Sequence, residues 1–238
     1  MIPKILHYIW LGGKKPKVVE HCIKSFYKYL PDYKIIEWNE SNIDTSNYHT
    51  LLKTLYKQFY DNKQYAYCSD IARLYLLKEY GGIYVDTDVE FIKHIPDTFL
   101  ETPFTSKMAH NGVIAVGLIW GTEPNDRLVN KFIDDYVQRF IINDLNPNKF
   151  IFNQVVNRHF NHIKGFIYEQ DVTQYIDGYH LYESKYFAPI SVSHKTNINN
   201  ICKDTISIHY YSNLWNNKMP HNLNSYLEYK DILDKFRE

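Results

Sequence analysis

Only three cysteines occur in the 238 residues, Cys22, Cys68 and Cys202, and they lie far apart. Their spacing forms no metal-ligand motif, and three thiols cannot all pair, so they read as reduced packing residues of a cytosolic chain. An excess of charge of one sign is missing as well: 27 Lys+Arg balance 27 Asp+Glu, and no basic block stands out. That removes the electrostatic attraction behind most nucleic-acid binding, so no nucleic-acid partner is expected. The longest apolar run, Val113 to Trp120 broken by Gly117, falls well short of the roughly 20 residues that span a bilayer. The opening, Met1 to Trp10, lacks the long apolar core and small-residue cleavage site of a signal peptide. Repeats, linkers and low-complexity tracts are absent too. The expectation is a soluble, cytoplasmic chain with no transmembrane segment, whose association with a membrane, if any, is peripheral and at the inner face.

What is present is enough for a folded domain. The chain is 45% apolar and 16% aromatic, and single α/β domains reach about 250 residues. A chain this long buries about 70% of its unfolded surface and needs neither disulfides nor metal to fold. The 22 tyrosines could furnish sugar-stacking surfaces; the plainer reading of an Asn-, Lys-, Ile- and Tyr-rich chain is nucleotide bias in its genome.

The order of elements reads as strand, helix, strand at the start of an α/β domain. Ile5 to Trp10, closed by Gly12-Gly13, is a buried strand; Pro16 to Leu30 is helical in pattern and stopped by Pro31; Tyr33 to Trp38 alternates as a second strand. Gln64 to Tyr80 carries the strongest helical stripe, Tyr67, Ile71, Leu74, Tyr75 and Lys78, and stops at Gly81-Gly82. Ile83-Tyr84-Val85 then forms a short buried strand. Val113 to Trp120 reads as a core strand, Asn125 to Phe140 and Phe150 to Phe160 as helices, and Leu223 to Phe236 as a last amphipathic helix packed on the domain. Thr205 to Tyr211 alternates, with Ile206, Ile208 and Tyr210 on one face and Ser207, His209 and Tyr211 on the other.

Chemistry concentrates at Asp86-Thr87-Asp88, which follows the apolar strand. Open α/β sheets place ligands at the carboxyl ends of their strands. Two carboxylates sharing one face repel each other unless a cation sits between them, and oxygen ligands suit Mg²⁺ or Mn²⁺ bridging to substrate phosphates. Asp70 and Arg73 lie three apart on one side of the preceding helix. The plain reading of that spacing is a weak surface ion pair; the functional one is an acceptor for sugar hydroxyls and a donor for phosphate. His209 is a third candidate metal ligand on a separate strand, with Trp215 six residues on. A lone strand histidine is more often a structural residue.

Ser69-Asp70-Ile71-Ala72-Arg73 followed by Glu79-Tyr80-Gly81-Gly82-Ile83-Tyr84-Val85-Asp86-Thr87-Asp88 resembles the signature of glycosyltransferase family 32, the group with a DXD-containing sugar-binding region. Ile2 to Trp10 resembles that family's first strand, and Ile208 to Trp215 its closing His…Trp motif. The resemblance implies an α/β fold of GT-A type, a Rossmann-like nucleotide-sugar-binding fold built on a central mixed sheet in a single domain, 1–238. Residues 1–120 would form the nucleotide-sugar-binding half, and 121–238 the acceptor half with the closing helix.

Carried over by position, the resemblance implies that Trp10 stacks on the nucleotide base. Asp70 binds donor sugar hydroxyls, and Arg73 lies close to sugar and phosphates. Asp86 reaches the ribose and, through water, the metal. Asp88 is the direct metal ligand, His209 completes the metal or diphosphate site, and Trp215 closes over the diphosphate. Relatives often end the motif in Gly-Ser-Trp; here Asn213-Leu214 precede Trp215, so either Ser212 or Asn213 substitutes for the hydroxyl that Leu214 cannot offer to metal or phosphate, or that contact is missing.

The expected activity is metal-dependent, retaining transfer of a hexose or N-acetylhexosamine from a nucleotide sugar, a UDP-sugar first, to a glycan or glycolipid acceptor in surface polysaccharide synthesis. Mn²⁺ or Mg²⁺ is the expected cofactor. Retention can come from a double displacement, for which Asn153-Gln154 is the candidate polar pair under the anomeric carbon, or from front-face attack, the reading favoured; acceptor contacts are expected from 103–112 and 168–200. Two rivals remain: a haloacid-dehalogenase-like phosphatase using Asp86 and Asp88, and a non-catalytic carbohydrate-binding protein. The first would need its Asp pair on the first strand and a later Gly-Asp-x-x-Asp run, which this chain lacks; the second leaves Asp70, Arg73, Asp86 and Asp88 unexplained.

Overall fold

Ile5–Ile9 alternates its side chains between two different cores, and that alternation sets the architecture. The computed structural model describes residues 1–109, 112–141, 152–190, 200–212 and 233–237. Its elements run β1 (Ile5–Ile9), α1 (Lys17–Tyr29), β2 (Lys34–Trp38), α2 (Thr50–Asp61), α3 (Tyr65–Tyr80), β3 (Gly82–Tyr84), β4 (Val89–Phe91), a 3₁₀ turn (Asp97–Leu100), β5 (Phe104–Ser106), β6 (Trp120–Thr122), α4 (Arg127–Ile141), α5 (Phe152–Asn161), β7 (Gln174–Ile176), β8 (Tyr179–Tyr182), α6 (Ser184–Phe187) and β9 (Ser207–His209).

Seven strands form one mixed sheet in the order β2-β1-β3-β6-β5-β8-β7. β1 runs parallel to β2 and β3, and β5 parallel to β8; β6 lies antiparallel to both β3 and β5. Strands β1, β2, β3, β5 and β8 therefore all point the same way, and Trp10, Asp86 and Lys107 follow the carboxyl ends of three of them. The sheet draws strands from both sides of residue 120. A separate two-stranded ribbon pairs β4 with β9.

Because successive strand residues face opposite ways, β1 and β3 feed both cores. Leu6, Tyr8, Ile83 and Val85 join Phe26, Phe91 and Ile208 in a cluster with α1, α6 and the ribbon. Ile9, Trp38, Tyr84 and Trp120 join Leu74, Phe132 and Phe152 in the other, with α2, α3, α4 and α5. Helices on both faces of this mixed sheet give an α/β layer arrangement.

The expected elements recur within a few residues, with three differences. Helix α3 is buried on more than one side, at Cys68, Ile71, Ala72, Arg73, Leu74, Tyr75, Leu76 and Leu77, because α2 and α4 pack against it as well as the sheet. The stretch 113–119 is not a strand: it makes an isolated bridge at Ile114 and then a turn closed by Leu118 N–H on the Ala115 carbonyl, 3.0 Å. Only Trp120–Thr122 enters the sheet. The segment 205–211 is extended, but only Ser207–His209 pairs. Most of the expected helix over 223–236 lies outside the described residues; Leu233 is buried in the α1-side cluster. Cys22 and Cys68 are buried free thiols and Cys202 is half-buried.

The junction from α3 into β3 needs two glycines. Gly81 has φ +60° and a Cβ there would stand 2.6 Å from the Pro124 backbone nitrogen; Gly82 has φ +87° and a Cβ would stand 2.6 Å from the Ile5 carbonyl oxygen. No L side chain fits either position, and this tight corner aims β3 at the carboxyl edge.

Candidate active site at the sheet's carboxyl edge

The two carboxylates of the Asp-x-Asp motif are presented by a turn and not by a strand. β3 ends at Tyr84, the Asp86 N–H donates to the Gly117 carbonyl at 2.8 Å, and the Val89 N–H closes back on the Asp86 carbonyl at 3.2 Å. Asp86 keeps the face of Tyr84, whose hydroxyl donates to Asp86 Oδ1 at 3.2 Å. Asp88 precedes β4, and the pairing of Val89 with His209 brings β9 alongside. The Tyr210 N–H donates to the Asp88 carbonyl at 3.0 Å, His209 Nε2 stands 3.0 Å from Asp88 Oδ1, and Ser212 donates to Asp88 Oδ2 through its N–H at 2.8 Å and its hydroxyl at 2.7 Å.

Helix α3 supplies the other side. Arg73 lies 2.7 Å from Asp70 and 3.7 Å from Asp86, with its guanidinium 4.4 Å from the Tyr84 ring centre. The Asp70 carboxylate also accepts the Phe152 backbone N–H at the start of α5. The pair is no solvated surface bridge, since the Arg73 side chain is only 7% exposed. Asp86 is the open member at 35% side-chain exposure, whereas Asp88 and His209 are 12% and 10% exposed, so the cleft opens over Asp86.

Burial and neighbours push the carboxylates apart. Burial raises Asp70 to about 6, with Asp86 adding to the rise and Arg73 opposing it. Burial also raises Asp86, against the Arg73 charge and with Asp88 reinforcing the rise. Asp88 goes the other way: burial is outweighed by His209 and by the hydrogen bonds from His209 and Ser212, which hold it well below the usual carboxylate range. His209 is raised in turn, because Asp88 outweighs its burial.

Asp86, Asp88 and His209 place one ligand atom each within 4.8 Å of one another, a grouping of three such donors found once among the described residues. His209 Nδ1 is buried with no hydrogen-bond partner among them. Two hard oxygen donors with one imidazole fit a divalent cation such as Mn²⁺ or Mg²⁺, which would also relieve the repulsion that raises Asp86.

Trp10 follows β1 on the same edge; it is half-buried, donates from Nε1 to the Gly13 carbonyl at 2.7 Å and packs against the α1-side cluster. Asn153 and Gln154 sit in the first turn of α5, one and two residues past the N–H that Asp70 accepts. Trp215, Asn213 and Leu214 lie outside the described residues. Two contributors were not legible in the sequence. Tyr84, read as a core residue, has its hydroxyl on Asp86. Gly117, read as a break in an apolar run, packs its Cα where a Cβ would stand 2.5 Å from Asp86 Oδ2 and 3.1 Å from Arg73 Nη1. The glycine itself was the signal, but only the fold shows what it faces.

Residues 16–105, which include Asp70, Arg73, Asp86 and Asp88, match the family described as "Glycosyltransferase sugar-binding region containing DXD motif". An uncharacterized glycosyltransferase of Acanthamoeba polyphaga mimivirus is 26% identical over 239 residues, covering 90% of this chain and 84% of that protein. Inositol phosphoceramide mannosyltransferase 3 of Schizosaccharomyces pombe is 33% identical over 92 residues, covering 37% of this chain and 24% of that protein, so the chain spans about a quarter of that enzyme's length. Among solved structures, the PaToxG glycosyltransferase superposes with a TM-score of 0.53 at 23% identity, over 67% of this chain and 70% of that one; this likeness supports a GT-A fold. The similarity to these glycosyltransferases is thus centred on residues 16–105, the stretch that holds the Asp-x-Asp motif.

Proposed function

We propose that the protein is a metal-dependent, retaining glycosyltransferase that moves a hexose or N-acetylhexosamine from a UDP-sugar to a glycan or glycolipid acceptor in surface polysaccharide synthesis. The observation that carries this reading is the convergence of Asp86, Asp88 and His209 within 4.8 Å, with Arg73 reaching the same carboxylate at 3.7 Å.

Breaking the anomeric C–O bond leaves a diphosphate with an added negative charge. A divalent cation bound at Asp88, Asp86 and His209 would supply Lewis-acid stabilisation of that charge. Arg73 adds a fixed positive charge in a partly water-excluded site, where it acts more strongly than in bulk water. Asp70 holds Arg73 and offers its remaining acceptor capacity to donor sugar hydroxyls. Asn153 and Gln154, next to the N–H that Asp70 accepts, are the polar pair on the sugar side. Retention follows front-face attack, with the acceptor entering beside the departing diphosphate. Trp10 is assigned to the base and Trp215 to the diphosphate. Work at the cytoplasmic face of a membrane is the proposed setting; no described helix is long and apolar enough to cross one.

The test is a melting-temperature screen of UDP-, GDP-, CMP- and ADP-sugars, each with and without Mn²⁺. GDP-mannose is included because the yeast relative is named as a mannosyltransferase. A ligand that binds only the native state at 100 times its Kd adds about 2.7 kcal/mol. The expected result is a metal-dependent upward shift with a UDP-sugar that Asp88→Ala abolishes. No shift with any nucleotide sugar, together with release of phosphate from simple esters, would return the phosphatase reading.

A further inference from the structure

Helix α5 contacts the site at more than one point. Its first residue, Phe152, donates its N–H to Asp70, and the Phe152 ring lies 6.0 Å from the Arg73 guanidinium. Further along the helix, Asn157 is 7% exposed. Its Oδ1 accepts the Ile114 N–H at 3.0 Å, while Nδ2 donates to the Ile114 carbonyl at 2.7 Å and to the Asn153 carbonyl at 2.7 Å. This is the two-bond pattern of a strand pair, made by a side chain. The amide can sit only one way round, because Ile114 presents one donor and one acceptor.

Ile114 opens the turn that leads to the site. Lys107 bridges Ile114, and the Ala115 N–H donates to the Ser106 carbonyl at 3.0 Å, so one side of the turn is held by β5. The other side is held by Asn157. Three residues on, the Gly117 carbonyl takes the Asp86 N–H, and its bare Cα borders the Asp86 carboxylate and Arg73.

We propose that Asn157 is a positioning residue for the cation-and-donor site, clamping the 114–118 turn to α5 so that Gly117 fixes the Asp86 backbone and leaves room for its carboxylate. The ligand half of this inference rests on the transferase reading; the positional half does not. Leucine at 157 has similar volume and no hydrogen bonds, and it would leave the Ile114 N–H and carbonyl buried without partners. The turn then loosens and Asp86 loses its set orientation.

Two readouts on Asn157→Leu test this, with Val19→Ala as a destabilised control in the opposite core, where Val19 is fully buried. In the ligand-free protein, NMR-detected hydrogen exchange at the Asp86 amide should rise at least about tenfold in Asn157→Leu beyond any change in the control. Affinity for UDP with Mn²⁺ should fall by about 10- to 100-fold in Asn157→Leu and stay unchanged in Val19→Ala. Asn157→Ser serves for both readouts if the leucine variant does not fold. Unchanged exchange at Asp86, or equal losses in the control, would overturn the proposal. If the wild-type protein itself does not bind UDP with Mn²⁺, the donor reading fails and the exchange measurement alone decides the role of Asn157.

Discussion

Gly117 shows how one missing side chain shapes the site. A Cβ at that position would meet the Asp86 carboxylate at 2.5 Å, closer than any real carbon–oxygen contact, so either Asp86 or the turn must move. Gly117→Ala is therefore expected to lower turnover by about 100-fold, the scale of a 1 Å misplacement near reacting groups, while far-UV circular dichroism stays native. Steady-state rates checked against the melting temperature distinguish this from unfolding; a wild-type rate would show that the cleft does not depend on where Asp86 points. Asp88 differs in kind: its three hydrogen-bonding neighbours, His209 and the two donors of Ser212, set its charge and direction together. Ser212 spends both its N–H and its hydroxyl on the Asp88 carboxylate.

At the scale of the element, β1 carries a buried histidine that keeps the adjoining corner in place. His7 is fully buried; its Nε2 faces the Gly81 carbonyl at 2.9 Å and its Nδ1 accepts from Trp38 Nε1 at 3.0 Å. That pair of partners requires the neutral ring with hydrogen on Nε2. Burial lowers its pKa to about 4, with the Gly81 bond opposing. The unfolded chain, with histidine near 6.5, therefore binds more protons than the folded one between about pH 6.5 and 4, so stability contributed by His7 is lost as pH falls through that window. The expected loss is roughly 2–4 kcal/mol. Denaturant melts from pH 7 to 4 for the wild type and His7→Gln measure it as the difference between the two, since the raised Asp70 contributes with the opposite sign in both. Parallel curves would mean that His7 is not the acid-sensitive group. Because Gly81 opens the turn into β3, this contact also ties the Asp-x-Asp motif to β1.

At the scale of the molecule, one sheet is buried on both faces, and neither core stands without it. Leu74 belongs to the α3-side cluster and Ile83 to the α1-side cluster, and each is fully buried. Leu74→Ala and Ile83→Ala are each expected to cost about 2–5 kcal/mol. Both should shift one common unfolding transition rather than split it, because strands β1 and β3 contribute to both clusters. Coincident denaturant curves from far-UV circular dichroism and tryptophan fluorescence would show this; two separated transitions in either variant would mean that the faces unfold independently. The same architecture explains the site: a sheet whose parallel strands end together brings Trp10, Asp86 and the turn after β5 to one edge.

Local pattern determined a good part of this. The helical stripe of α3, the glycine stop, the apolar strand and the Asp-x-Asp pair are read within a window of some twenty residues, and periodicity and backbone chemistry act at that range. The spacing of Asp70 and Arg73 showed that they share a helix side, because three residues is close to one turn. Pattern misread 113–119 as a strand, since an apolar run does not reveal that a turn must deliver Gly117 to Asp86. It also left α2, the β7–β8 hairpin and the β4–β9 ribbon unread, because short or weakly periodic segments take their form from the surfaces they cover. Only the tertiary structure decided that His209, 121 residues after Asp88, becomes its 3.0 Å neighbour, and that Asn157 reaches Ile114. Those contacts form where distant segments are pressed together by burial, and no short-range propensity encodes them.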